Sequence, residues 1–181
     1  MTGRIIGTAM VTGGAQRIGA AIVRALAEAG YRVVIHYSRS AGAAEALHSA
    51  LQQQGRESFL VQADLSDRQA VQTLFADARR QAGPLDLVVN NASVFVPDRA
   101  SVPHTKIWDD HFAVNLQAPC ALAAACYAQT DVPPGRERVI VNMVDQRVLR
   151  PNPLYFSYTL SKSALWTCLL YTSPSPRDVE E

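Results

Sequence analysis

Apolar residues in this chain fall into short continuous runs, separated by stretches in which they recur every three to four positions. The runs at 5–11, 32–36, 58–62, 85–89 and 138–144 predict strands buried on both faces. Between them, 17–29, 43–54 and 67–81 carry their apolar positions on one face of a helix. Gly30 and Gly55 close the first two helices, and the third starts at a Ser66/Asp67 cap and stops at Gly83-Pro84. A longer helix, about 105–129, precedes the fifth strand, and Pro119 predicts a bend in it. A last helix begins near Tyr155. Strands alternating with helices predict an α/β fold: a doubly wound parallel sheet between two helical layers, with right-handed crossovers. In such sheets ligands bind at the carboxyl ends of the strands.

The pattern covers 1–167, a single partial domain. From Cys168 the sequence leaves it for a run that includes Thr172-Ser173-Pro174-Ser175-Pro176. One back-translation of Cys168 to Asp178 reproduces the end of a transposon-type sequencing adapter. The competing reading is a natural Ser/Pro-rich disordered tail. The expectation is that 168–181 is non-native and that the fold is incomplete at its C-terminus, cut inside the last helix.

Composition narrows the class without naming a chemistry. The chain has 181 residues, 48% hydrophobic and 18% charged, with net charge +1, which indicates neither a nucleic-acid nor a membrane-surface partner. Three cysteines, Cys120, Cys126 and Cys168, form no metal or disulfide pattern and suggest a reducing compartment. Cys120 and Cys126 read as buried small residues. No signal peptide or membrane-length apolar run is seen, so the expected location is cytoplasmic. His36, His48, His104 and His111 lack metal-ligand spacing, and no metal is expected. His36 is expected to pack the loop after the first strand, the other three histidines to lie on the surface, and Trp108 and Trp166 to be packing groups.

Two motifs carry the candidate chemistry. After the first strand, Thr12-Gly13-Gly14-Ala15-Gln16-Arg17-Ile18-Gly19 opens a helix, where glycines let the backbone approach a pyrophosphate. Near the end, Tyr158 and Lys162 are four apart, on one helical face. A lysine ammonium beside a phenol lowers its pKa and yields a proton donor near neutral pH. Taken alone, that pair is also what a solvated helix carries. Asp145 stands thirteen positions before Tyr158.

Together these motifs resemble the short-chain dehydrogenase/reductase family over residues 4 to about 167, which implies a Rossmann-type fold. The resemblance implies that Gly13, Arg17, Ile18 and Gly19 lie at the pyrophosphate, and that Asp64 and Leu65 contact adenine. It places Asn91, Ala92 and Ser93 of Asn90-Asn91-Ala92-Ser93, with Met143, along the cofactor. It makes Tyr158 and Lys162 the active-site pair, Lys162 also binding the nicotinamide ribose, and Asn115 the helix asparagine whose bent backbone supports a water near the lysine.

Three departures from the family pattern are informative. Arg17 replaces the middle glycine of the loop, where a guanidinium meets phosphate oxygens. After the second strand, Tyr37-Ser38-Arg39-Ser40 has no acidic residue for a ribose diol and suits a 2′-phosphate, so the expected cofactor is NADPH. Asp145 replaces the expected serine. A carboxylate would repel the oxyanion of a carbonyl reduction, but it can accept from the N–H groups of a nitrogen heterocycle. This pattern resembles the pteridine reductase branch, with an Asp, Tyr, Lys triad and a phenylalanine, Phe95, stacked on the ring. The implied substrate contacts are Ser93, Phe95, Asp145 and Tyr158. For Phe95 the competing reading is a core aromatic.

The expected activity is NADPH-dependent reduction of a pterin, dihydropterin or dihydrofolate C=N bond, with a small, pterin-like molecule as partner. The alternatives are a carbonyl or 3-oxoacyl reductase and a non-catalytic NADPH-binding protein or inactive fragment. The full-length form is expected to be a homodimer or homotetramer, as relatives are.

Overall fold

The computed structural model describes residues 5–101, 105–133 and 135–172, with side chains through Cys168. His104 and the tail from Ser173 lie outside the described residues. Five strands form one parallel sheet: β1 (Gly7–Val11), β2 (Tyr31–Tyr37), β3 (Ser58–Gln62), β4 (Leu87–Asn90) and β5 (Val139–Asn142). Their order is β3-β2-β1-β4-β5. The α/β doubly wound expectation is met.

Alternation along the strands divides the apolar residues between two cores. Met10 and Val34 face one side with Val61 and Val88, and Val11, Val33, Ile35 and Val89 face the other. The second side is covered by α1 (Arg17–Glu28) and α2 (Ala41–Gln53), through Ala20, Val23, Ala27, Leu47 and Leu51. The first is covered by α3 (Arg68–Ala82), through Val71, Leu74, Phe75, Ala78 and Ala82, and by α5 (Ala118–Tyr127), through Leu122 and Cys126. The apolar spacing of α3 is the helical period that the sequence displays. Asp67 is its cap: Oδ1 accepts from the backbone N–H of Gln69 at 2.8 Å and of Ala70 at 3.3 Å.

Two expectations need correction. The stretch from 105 is not one helix bent at Pro119. It is α4 (Thr105–Phe112), a π-helical turn over Ala113–Gln117, and then α5. The irregularity surrounds Asn115, whose side chain is held by neighbouring elements, and Pro119 falls in the first turn of α5, where its missing N–H costs little. His111 is fully buried, because its Nδ1 pairs with Ser157 Oγ at 2.6 Å and its Nε2 accepts from Val96 N–H at 3.2 Å. The last helix, α6 (Phe156–Thr172), stays helical past Cys168, where the sequence pattern breaks.

The strand order reverses between β1 and its neighbour β4. The loops after β1, β4 and β5 therefore open on one crevice at the carboxyl edge of the sheet, the usual ligand position in this architecture.

Candidate active site

The turn after β1 is shaped by close approach. A Cβ on Gly19 would lie 2.1 Å from the Gly13 carbonyl oxygen, so only glycine fits there. Gly13 has φ +61° and its N–H donates to His36 Nδ1 at 3.1 Å. His36 Nε2, which therefore carries the proton, pairs with the Ala63 carbonyl at 3.1 Å. The expected packing role of His36 is thus specific: it pins the turn to the next two strands. Arg17 also has positive φ, +52°, an uncommon state for a side chain larger than glycine. The backbone of a glycine position is kept while an exposed guanidinium is placed at the start of α1. Ile18 beside it is exposed.

The β4 loop is laced to this turn. Thr12 Oγ1 accepts from the N–H of Asn91 and of Ala92, both at 3.0 Å, and Asn91 Nδ2 donates to the carbonyls of Thr12 and Gly13. Asn91 and Ala92 are thereby held beside the turn after β1. Thr12, the pivot, was not singled out in the sequence. Ser38, Arg39 and Ser40 sit between β2 and α2, with Arg39 exposed and the Ser38 carbonyl held by Gln62 Nε2 at 2.9 Å. Tyr37 ends β2. Asp64 is exposed beyond β3 and is held below the ordinary carboxylate range by the N–H and hydroxyl of Ser66. Leu65 is buried in the core, so only its backbone can face a ligand.

The reactive corner joins α6 to the loop after β5. Tyr158 and Lys162 are 4% and 3% exposed, and both point inward as the spacing predicts. Their partners differ from expectation. Tyr158 Oη donates to Asp145 Oδ2 at 2.9 Å, and Lys162 Nζ donates to the Met143 carbonyl at 2.8 Å. Burial and the Asp145 carboxylate push the phenol above its ordinary pKa, not below it. Burial draws Lys162 down to about 8, with Asp145 opposing. Asp145 itself lies low. Desolvation acts to raise it, but the Arg147 N–H, the Tyr158 hydroxyl and the Arg147 guanidinium together outweigh that. The carboxylate is therefore ionised at neutral pH.

Asn115 ties the corner together. Its Oδ1 accepts from Ser93 Oγ at 3.1 Å and Val94 N–H at 2.9 Å, while its Nδ2 donates to the Val94 carbonyl at 3.0 Å and Ser161 Oγ at 3.2 Å. It positions the Phe95 loop against α6. Phe95 is 46% exposed, not a core aromatic. It stacks on Tyr155 at 4.3 Å and meets Tyr158 edge-on at 4.7 Å.

Arg147 is the residue at this corner that sequence reasoning missed. Its guanidinium pairs with Asp145 and lies against Phe95 and Tyr155. The available signal was a cation two residues beyond an unexpected acid. Among the described residues no group of three His, Cys, Asp or Glu side chains could hold a metal, and no helix is long and apolar enough to cross a membrane.

A nicotinamide cofactor suits this crevice on three observations: a glycine turn that excludes side chains, exposed arginines at the start of α1 and after β2, and a lysine aimed at the β5 loop. The family model for short chain dehydrogenases matches residues 7–169, and the chain belongs to that family. Among solved structures, FolM alternative dihydrofolate reductase 1 from Brucella canis, complexed with NADP, superposes with a TM-score of 0.86 at 41% identity, covering 95% of this chain and 69% of that one. The Brucella suis protein, also with NADP, gives 0.86 at 42% identity, covering 94% and 71%. Of the curated relatives, a short-chain type dehydrogenase/reductase from Picea abies is 34% identical over 165 residues, 87% of this chain and 60% of the relative. The 3-oxoacyl-[acyl-carrier-protein] reductase FabG of Staphylococcus aureus is 34% identical over 110 residues, 61% of this chain and 45% of the relative. The matches thus span 60% and 45% of the length of these curated relatives, less than two thirds of either.

Proposed function

We propose that this chain belongs to an NADPH-dependent oxidoreductase that reduces a C=N bond in a pterin, dihydropterin or dihydrofolate. The observation that carries the reading is the ionised Asp145 carboxylate, 2.9 Å from the Tyr158 hydroxyl, at the crevice where the strand order reverses. A fixed negative charge opposes an oxyanion and favours N–H donors, so the corner suits a nitrogen heterocycle better than a ketone. The similarity to the two Brucella dihydrofolate reductases supports the same substrate class.

NADPH, when bound, supplies the hydride, and the chain's own residues do the rest. Gly13, Ile18 and Gly19 admit the pyrophosphate, and Asn91, Ala92, Ser93 and Met143 line its path. Arg17 meets phosphate oxygens from the start of α1, and Arg39, with Tyr37, Ser38 and Ser40, meets the 2′-phosphate end, beside Asp64 and the Leu65 backbone. Lys162 orients the nicotinamide ribose. Asp145 accepts the heterocycle's N–H groups and holds the Tyr158 hydroxyl. Tyr158 holds the proton that the ring nitrogen takes, and Phe95 and Ser93 border the ring. The raised pKa of Tyr158 makes it a proton holder that releases only when the nitrogen becomes strongly basic. The enzyme is further proposed to be cytoplasmic and to work as a homodimer or homotetramer.

The staphylococcal relative favours a second reading, a 3-oxoacyl or other carbonyl reductase. Assaying the intact gene product with NADPH against dihydrobiopterin, dihydrofolate and a 3-oxoacyl thioester separates the two. Turnover of the thioester without either heterocycle would sink the first.

A further inference from the structure

The loop after β5 puts a cation into the acidic corner. Arg147 N–H donates to Asp145 Oδ1 at 2.8 Å, and its Nη1 reaches the same oxygen at 3.5 Å. Its guanidinium carbon lies 4.7 Å from the Phe95 ring centre and 4.6 Å from that of Tyr155. This is not how an arginine is held for stability. Such pairs engage through two N–H groups at about 2.7–2.9 Å, whereas this contact is single and long. Arg147 Nε is buried with no hydrogen-bond partner among the described residues. Ring contact, more than complete hydrogen bonding, keeps the guanidinium in place. A flat cation pressed on Phe95 and directed at Asp145 has the same recognition chemistry as a flat ring with an N–H edge.

We propose that Arg147 is a specificity-determining residue: its guanidinium takes the place, against Phe95 and Asp145, of a ligand's donor edge, so a ligand gains this corner only by displacing it. The inference rests on the heterocycle placement argued above. A ring that brings two N–H donors to Asp145 replaces what it removes. A ketone brings none and leaves the carboxylate with the Arg147 backbone N–H and the Tyr158 hydroxyl but without a replacement for the lost guanidinium. Arg147 therefore raises the cost of every ligand, and of donor-poor ligands most.

The test compares wild type with Arg147→Ala and Arg147→Gln in the intact protein loaded with NADP. Benzamidine, a flat amidinium, is the probe, titrated by calorimetry. Both variants should bind it about five-fold tighter, the factor expected when a partly exposed ion pair no longer competes. Asp145→Asn added to Arg147→Ala should remove that gain. With dihydrobiopterin, KM should fall in both variants with little change in kcat, and the preference over a simple ketone should narrow. Loss of a merely structural residue would not lower KM alone. Unchanged or weaker benzamidine binding in both variants overturns the inference. So does a raised or unchanged KM where the wild type does reduce dihydrobiopterin, and that result leaves the proposed function standing. Tighter benzamidine binding in variants that, like the wild type, never reduce dihydrobiopterin supports the inference and removes the proposed substrate.

Discussion

In the proposed function, Asp145 is the residue that sets the substrate preference. Its two oxygens are already divided, Oδ2 to the Tyr158 hydroxyl and Oδ1 to Arg147, so Asp145→Ser changes charge and acceptor count together. Loss of the fixed anion should cut heterocycle turnover about 100-fold or more, the scale of one misplaced polar group in an active site, while ketone turnover holds or rises. Parallel assays on both substrates check this; equal losses would argue against the substrate assignment. Arg17 separates stability from binding. At φ +52° it stores strain that Arg17→Gly should relieve, worth up to about 1 kcal/mol after the added chain entropy of glycine. The variant should melt higher yet bind NADPH about ten-fold more weakly, having lost a phosphate contact. A single set of melting curves and cofactor titrations reads both. His36 and His111, both held below the ordinary imidazole range by burial, make the fold acid-sensitive, and His36 is the larger test case. Burial pushes its pKa from 6.5 down to about 4, against the Ala63 carbonyl and Asp64, which raise it. The unfolded chain takes up the proton near 6.5 and the folded one does not, so stability is full above that pH and is lost as pH falls towards 4. The loss amounts to about 3 kcal/mol at most. Melting between pH 7 and 4 should show the decline, and His36→Gln should make it shallower, leaving the part due to His111.

At the scale of elements, legibility followed the range of the forces involved. The five strands could be read because a parallel sheet buried on both faces needs continuous apolar runs, and α3 because Val71, Leu74, Phe75 and Ala78 repeat the helical period. The π-helical turn at Ala113–Gln117 could not, since what holds it is remote: Asn115 bonds Val94 and Ser161, 21 and 46 positions away. His111 was misread for the same reason. Asp109-Asp110-His111 looks solvated, yet its partner Ser157 lies 46 residues on. The Tyr158/Lys162 spacing was legible, because the two share a face of one helix, and Asp145 stood out upstream, but the Lys162 bond to the Met143 carbonyl and the Arg147 pair with Asp145 were not, because both come from the loop after β5. Asn115→Ala tests how far that remote support extends. It leaves the Val94 N–H without its partner and the Val94 carbonyl with only Ser93 Oγ at 3.4 Å, a cost of about 1–3 kcal/mol, and frees the Phe95 loop. The expected result is a lower melting temperature together with a raised KM for the heterocycle. An unchanged KM would show that the loop is positioned without it.

For the whole molecule, the two edges of the sheet differ. The β3 edge strand is flanked by α2 and α3 and keeps Ser58 and Val61 buried. The β5 edge is bare: Val139 and Val141 are 44% and 39% exposed on one face, while Ile140 on the other packs into the core. Val144 and Leu149 continue the uncovered apolar surface. An open edge with unpaired backbone groups and an exposed valine face is a template for strand addition by another copy. Residues 1–181 produced alone should therefore self-associate and bind a hydrophobic dye, with larger species growing as concentration rises. Lysine at both valines, Val139→Lys with Val141→Lys, should suppress association at modest cost to the fold, because neither side chain is among the buried core residues. Arg138 and Arg136 next to them already anchor the segment to Gln129 and Asp86, so the edge keeps its register when the valines change. Light scattering on the two proteins separates the explanations. If the double variant aggregates as readily as the parent, the bare valine face is not the cause, and an unfolded population must be. If it stays monomeric and the parent does not, the β5 face is where the crevice-bearing sheet requires cover before the site beside it can hold a ligand in a defined geometry.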